Sequence, residues 1–424
     1  MDLILTVGTN PLPNFVVAYY FSEMEDFGVE RIFLVHSDTS TNSSHSSTRN
    51  QAESVRDLLK EKTGRNICTL VPIKEVSGEE IYESLQHHFS EYDLRSSVHL
   101  NYTGGTKAMA VQVYSFVKDK FGENASFSYL DARNHMLKCS RSFFNDKPVE
   151  SLSDITLTIK ELLALHGYSV VKKPDITTDD RFRESLAVIR EVIQEKGVKE
   201  ILDFQQNYIR NIYYDSKGDV IKKPSLFRKH MSYGSQKELA ESLPENLVKI
   251  MQTLPEPEIL LDSEGNIALP DDHIKNKDFE SRVSKRAEFL GGFWFEQFID
   301  KLVEDYAKKM KLQYGFNLKA KRTGLPDFEL DSFLIRGYHL LAISVTTSPS
   351  KKLCKSKGFE VIHRSRQIGG DESRSILVTL MDKNSARNLQ DELQIESGSS
   401  TDTFVVLNRD NYESIASYID YLFR

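Results

Sequence analysis

Two groups of residues in this 424-residue sequence have the types and spacing to do chemistry. The first is Asn101-Tyr102-Thr103-Gly104-Gly105-Thr106-Lys107. Val98 to Tyr102 reads as an apolar strand, the glycine pair breaks it, and Lys107 opens a helix through Ala108, Met109, Ala110 and Val111. Successive glycines let backbone N–H groups converge on one spot, and a helix N-terminus adds the positive end of its dipole. Thr103, Thr106 and Lys107 supply hydroxyl and ammonium donors, so the loop is expected to cradle a phosphate-bearing ligand. A plain strand-to-helix turn would need the glycines but not two threonines and a lysine beside them. The GxxxxGK[ST] spacing of a triphosphate loop is absent, so ATP hydrolysis is not indicated. Gly8-Thr9-Asn10-Pro11 and Ser37-Asp38-Thr39-Ser40 follow the first two strands and are expected to open on the same edge. Taken alone, each of those is more often an ordinary turn.

The second group is Glu296, on a helix that opens Gly291-Gly292-Phe293-Trp294-Phe295-Glu296, with Asp327, Glu329 and Asp331. The last three alternate along a strand and so project to one face. Carboxylates crowded on one face repel one another unless a cation or basic groups neutralise them. Such an oxygen set suits Mg²⁺ or Mn²⁺, which can activate water for phosphodiester hydrolysis. The competing reading is the solvated face of an edge strand.

The elements that must position these groups follow from periodicity. Over the first 140 or so residues, strand-like runs (Leu3–Val7, Arg31–His36, Cys68–Pro72, Ser97–Tyr102, Phe127–Asp131, Met136–Arg141) alternate with helical stretches. Apolar strands alternating with helices predict a parallel sheet covered on both faces, with ligands at its carboxyl edge. From about Glu150 to Lys285 the pattern is mostly helical, with room for a small hairpin or winged segment. A third region begins near Arg286: a helix from Glu288 to Met310, strands at Leu312–Lys321, Asp327–Ile335 and Tyr338–Thr346, a helix at Gly358–Gln367, and strands at Ser375–Leu380 and Thr403–Leu407. The expected plan is an N-terminal α/β domain over 1–145, a helical linker region over 146–285 and a C-terminal α/β domain over 286–424.

Composition excludes several classes. Hydrophobic residues at 39% rule out wholesale disorder, and a net charge of -7 argues against a surface coated for general nucleic-acid binding. A local basic groove remains open, because a site depends on clustering. Cys68, Cys139 and Cys354 stand far apart, which fits a reducing compartment and offers no zinc site. An acid at position 2 and the lack of any 18-residue apolar stretch predict neither a signal peptide nor a membrane span, and hence a cytoplasmic protein.

Asn101 to Met109, at the end of a late strand of an N-terminal α/β domain, resembles the signature of CARF domains, the CRISPR-associated Rossmann-like sensors of type III systems. The resemblance covers about residues 1–145. It implies a homodimer that binds a cyclic oligoadenylate across its two-fold axis, with Asn101, Thr103, Gly104, Gly105, Thr106 and Lys107 as contacts. Thr9, Asn10, Ser37 and Asp38 match the family's first-loop and second-loop contacts. Residues 286–385 resemble the PD-(D/E)XK nuclease half of two-domain CARF effectors, a restriction-endonuclease-like α/β fold. Gly292-Phe293-Trp294-Phe295-Glu296, Glu329-Leu330-Asp331, and Arg364, Arg366 and Gly369-Gly370 carry that match. It implies Glu296, Glu329 and Asp331 as catalytic residues, with Asp331, Glu296 and Asp327 around Mg²⁺ or Mn²⁺ and DNA or RNA as substrate.

One motif departs. The family's Glu-x-Lys strand falls at Leu341 to Thr346, where Ser344 replaces the glutamate and Thr346 the lysine. Either the roles have migrated, to Glu329 and to Lys319, Lys321 or Lys351, or the domain no longer cuts. His363, Arg364 and Arg366 could still hold a phosphate backbone. Two functions stay open: a metal-dependent nuclease switched on by cyclic oligoadenylate, and a sensor whose degenerate nuclease-like domain recruits a partner or nucleic acid without cutting. No residue pattern demands a third, self-cleavage of the ligand, and no Arg–His pair has the helical spacing of a HEPN ribonuclease.

Overall fold

Alternation along the first strand decides the architecture of the N-terminal domain. Leu3 and Leu5 enter one buried cluster and Ile4 another, so both faces of the strand are covered. The structure is a computed structural model. It describes the chain apart from residues 25–27, 39–46, 75–76, 91, 93, 95–96, 132–135, 141–146, 149–153, 233, 256–260, 263 and 272.

The first sheet contains β1 (Asp2–Thr6), β2 (Arg31–Asp38), β3 (Cys68–Lys74), β4 (Val98–Asn101), β5 (Ala125–Asp131), β6 (Met136–Ser140) and β7 (Lys147–Pro148), in the order β3-β2-β1-β4-β5-β6-β7. The first five are parallel, as expected. β6 and β7 are antiparallel, because too few residues separate β5 from β6 for a crossover helix. Helices Leu12–Tyr19 and Arg49–Thr63 pack on one face, and Gly78–Ser90 and Lys107–Phe121 on the other.

The second sheet contains β8 (Ser169–Lys172), β9 (Gln313–Lys321), β10 (Phe328–Arg336), β11 (His339–Thr346), β12 (Arg374–Thr379) and β13 (Phe404–Leu407), in the order β13-β12-β11-β10-β9-β8. The pairs β8–β9, β9–β10 and β10–β11 are antiparallel, and β12 and β13 run parallel to β11. Helices Trp294–Met310 and Ile415–Leu422 cover one face, and Lys351–Gly369 and Lys383–Ser397 the other. One apolar cluster runs from Leu3 and Phe15 through Leu162 and Leu163 to Leu340 and Val361, so the two sheets share a core.

Two features differ from the expected plan. The stretch 146–285 is mostly helical but contributes β8 to the edge of the second sheet, and helix Ile159–Leu165 to the shared core. Ser-Val-Val-Lys is too short and too polar at its ends to announce itself as a strand. In β10 the alternation slips by one residue. Phe328 and Leu330 enter the shared core, and so do Phe333 and Ile335. The slip falls at Asp331-Ser332, opposite Asn317, whose φ is +52°. No helix among the described residues is long and apolar enough to cross a membrane.

Candidate functional site

β1 and β4 lie side by side with Leu5 opposite Asn101, so the loops leaving them adjoin. The Thr6 hydroxyl donates to the Gly104 carbonyl (2.6 Å), and the Asn14 amide donates to the Thr6 carbonyl (2.8 Å). A β-carbon on Gly104 would lie 2.3 Å from the Thr6 oxygen and 2.9 Å from the Gly8 nitrogen. Gly105 has a φ of +79°, a conformation side-chain-bearing residues rarely adopt. The glycines thus weld the two loops together. The Thr106 hydroxyl accepts from the Met109 N–H (3.2 Å) and caps the helix that Lys107 opens.

Asn101, expected to touch the ligand, is fully buried. Its amide donates to the Ser128 hydroxyl (2.9 Å), and its Oδ1 accepts from both the backbone N–H and the hydroxyl of Thr103 (3.2 and 2.7 Å). The Thr103 hydroxyl also accepts from the Leu130 N–H (2.7 Å). Asn101 is therefore an internal strut of the loop. Beneath it His99 bridges Ser126 and Ser128 (2.7 Å each), and burial pushes its pKa down to about 3, so the ring is neutral. Ser37, a second expected contact, is also buried. It is tied to Thr48, whose hydroxyl donates on to the Val7 carbonyl (3.0 Å). Asp38 ends β2 half-buried, and Thr39 and Ser40 fall outside the described residues. Thr9, Thr106 and Lys107 are exposed, with Gly104 and Gly105 half-buried between them. Asn10 turns toward the second domain, where its Oδ1 lies 3.3 Å from His166 Nε2.

The second group gathers where β10 and β11 part. Their pairing begins at Ser332–Ile343, and one residue earlier the Asp331 carboxylate accepts from the Ser344 hydroxyl (2.8 Å) and the Val345 N–H (3.0 Å). Lys357, from helix Lys351–Gly369, places its ammonium 3.8 Å from the same Asp331 oxygen. Helix Trp294–Met310 brings up Glu296, half-buried, and Asp300, buried and accepting from the Ser332 hydroxyl. Burial first, and then the Asp331 charge, push the Glu296 pKa up to about 7. Burial holds Asp300 well above the usual carboxylate range.

The structure redistributes the expected roles. Asp327 precedes β10 and is exposed, so it does not join Glu296 and Asp331. Among the described residues no three His, Cys, Asp or Glu side chains gather as a metal-binding group. Glu329 is exposed and paired with Lys319 (3.1 Å), while Lys351 is paired with Glu392. Neither lysine is the cation at Asp331. Lys357 is, and it escaped the sequence reading because a lysine on an amphipathic helix looks like solvated surface. Ser344 does not stand in for the missing glutamate as a charge; it holds Asp331 in place. Arg364 lies over the Phe328 ring at 4.8 Å, and Arg366 donates to the Ser397 carbonyl (2.9 Å) and the Ser399 hydroxyl (3.0 Å). His363 is exposed.

The raised carboxyls predict a pH dependence. A carboxyl whose folded pKa is above its unfolded value binds its proton more tightly in the folded state, so it stabilises at low pH and the contribution is lost as pH rises through the folded value. For Glu296 that window runs from about 4.5 to about 7. Metal-free protein is therefore expected to lose thermal stability across that range, and Glu296→Gln to flatten the loss. Scanning calorimetry at a series of pH values reads it, and an unchanged slope in the variant would contradict the assignment.

Residues 3–161 match the family model described as the Card1 CARF domain. The N-terminal domain is a CARF domain. A search of curated proteins returned no match. Among solved structures, protein VC1899 from Vibrio cholerae superposes with a TM-score of 0.64 at 13% identity, covering 99% of this chain and 96% of its own. Can2 from Sulfobacillus thermosulfidooxidans, solved in complex with cyclic tetra-adenylate, superposes with a TM-score of 0.63 at 12% identity, covering 100% and 99%. At these identities the likeness is one of fold, and it extends beyond the CARF domain to the whole chain. Helix Trp294–Met310 leads into the antiparallel β9, β10 and β11, and helix Lys351–Gly369 connects β11 to the parallel β12, the α/β order expected of a restriction-endonuclease-like domain.

Proposed function

We propose that the chain is a type III CRISPR ancillary effector whose CARF domain, as a homodimer, binds a cyclic oligoadenylate and thereby activates a metal-dependent nuclease site at Glu296, Asp331 and Lys357. One observation carries the catalytic half: Asp331 is held by Ser344 and Val345 beside Lys357, and its charge is felt by a half-buried Glu296. Two carboxylates close enough for the Asp331 charge to raise the Glu296 pKa suit a hard divalent cation, Mg²⁺ or Mn²⁺, between them. Bound there, such an ion would polarise a phosphodiester and lower the pKa of a water. Asp331 keeps its orientation through Ser344 and Val345, and Lys357 supplies the positive charge that the strand lost at Thr346. The substrate is nucleic acid, DNA or RNA.

The sensing half rests on the CARF match, on the bound ring of the similarly folded Can2, and on the exposed Thr106 and Lys107 at a capped helix start. Val111, 59% exposed one turn after Lys107, and Tyr129, its ring tilted against Tyr102 at 5.7 Å, offer apolar surface for the second copy. The alternative, ligand binding without cutting, is favoured by Ser344 and Thr346 standing where the Glu-x-Lys pair is expected. Calorimetric titration with cyclic tetra- and hexa-adenylate tests the sensor. Lys107→Ala is expected to weaken binding of the accepted ring by about 10- to 100-fold, the loss of one or two charge-assisted hydrogen bonds. If the wild-type protein binds neither ring, the sensing half fails.

A further inference from the structure

A second cleft lies away from the nuclease-like site. It lies between the two domains, has a volume of about 620 Å³, and is walled by Thr9, Asn10 and Gln51 of the CARF domain and by His166, Arg322 and Arg366 from beyond it. That volume falls within the range of small-molecule sites. We propose that this cleft binds an adenine nucleotide, with Arg322 and Arg366 facing its phosphate or stacking on its base and Gln51 reading the base edge. The choice of adenylate rests on the activator proposed above; the existence of an anion site does not.

Charge points to an anion first. In a chain of net charge -7, neither arginine has a carboxylate partner among the described residues. Arg322 lies over the Tyr168 ring at 5.7 Å, and Arg366 is held by two neutral oxygens. Asp371 is the only acid among the described residues that line the cleft. His166 adds no charge, since burial pushes its pKa down to about 4. A base points next. An arginine stacked on an aromatic ring presents a flat cation on which a nucleobase can stack. The Gln51 Oε1 is buried with no hydrogen-bond partner, and a glutamine amide matches the exocyclic amine and N7 of adenine. A buried acceptor left unpaired is costly, and a bound amine would satisfy it.

The position gives the site its consequence. Its two walls are the first ligand loop, through Thr9 and Asn10, and the Gly370 turn that ends the helix bearing Lys357. An occupant would fix one against the other.

The test is calorimetric titration of the full chain with AMP, with 5′-phosphorylated linear di-adenylate and with cyclic tetra-adenylate. Arg322→Ala and Gln51→Ala, each checked for folding by circular dichroism, are expected to weaken AMP and di-adenylate about 10-fold or more. If AMP and the ring compete, the cleft holds one nucleotide of the ring. If they bind additively, it holds a free linear adenylate. Either outcome supports the site. Failure of the ring to bind, with AMP binding still dependent on Arg322, removes the activator reading and leaves the cleft. Equal affinity of both variants and wild type for AMP and di-adenylate overturns the proposal.

Discussion

Gly104→Ala is expected to destabilise the CARF domain by about 3 kcal/mol and to abolish ring binding, because overpacking against rigid backbone has no cheap relief. The new methyl would sit 2.3 Å from the Thr6 carbonyl, 2.8 Å from Asn14 Oδ1 and 2.9 Å from the Gly8 nitrogen. Two of those three atoms are main chain, so the strand ends must separate. That separation would break the Thr6 to Gly104 hydrogen bond. Gly122→Ala makes the control. It too has a positive φ, +53°, but its added β-carbon meets nothing within 4 Å, so only the conformational cost of about 1 kcal/mol applies. Urea unfolding of both variants distinguishes a welded loop from an ordinary turn: near-equal losses would mean that the two loops are not joined as described.

Asp331→Asn is expected to lower phosphodiester cleavage by about 1,000-fold, the scale of several kcal/mol of lost metal and transition-state stabilisation. The fold should barely notice. An asparagine oxygen still accepts from Ser344 and Val345, so the fork between β10 and β11 stays closed. Lys357→Met removes the ammonium 3.8 Å from Asp331 while keeping the side chain's length, and should cost about 100-fold. Lys319→Met and Lys351→Met serve as comparisons, since both side chains are engaged by Glu329 and Glu392. Loss of cutting in those, with Lys357→Met active, would return the catalytic cation to the positions first inferred from sequence.

Much of this was legible in the residues, and the illegible parts share a cause. The glycine loop declared itself because two glycines, two hydroxyls and a lysine at a strand-to-helix junction have few other uses. What could not be read was which of its members face outward. Asn101 and Ser37 have the chemistry of contacts, but burial spends both on neighbours that lie far away in sequence, Ser128 and Thr48. The row Asp327, Glu329, Asp331 failed for a local reason. Strict alternation assumes an unbroken strand, whereas β10 begins at Phe328 and slips opposite Asn317. Lys357 was hidden because its partner stands two elements earlier, and only the packing of helix Lys351–Gly369 against the sheet brings them together. β8 is an edge strand whose partner β9 lies well over a hundred residues downstream, a pairing no local pattern encodes.

The central claim is that occupancy of the CARF cradle controls chemistry at Asp331, a coupling between two distinct sites. The most direct measurement is cleavage of supercoiled plasmid and of single-stranded RNA by the wild-type protein in Mn²⁺, with and without cyclic tetra- or hexa-adenylate, beside Asp331→Asn. Cutting that appears only with the ring and vanishes in Asp331→Asn is the predicted result. Cutting indifferent to the ring, or surviving in Asp331→Asn, or tight ring binding with no cutting of either substrate, would contradict it.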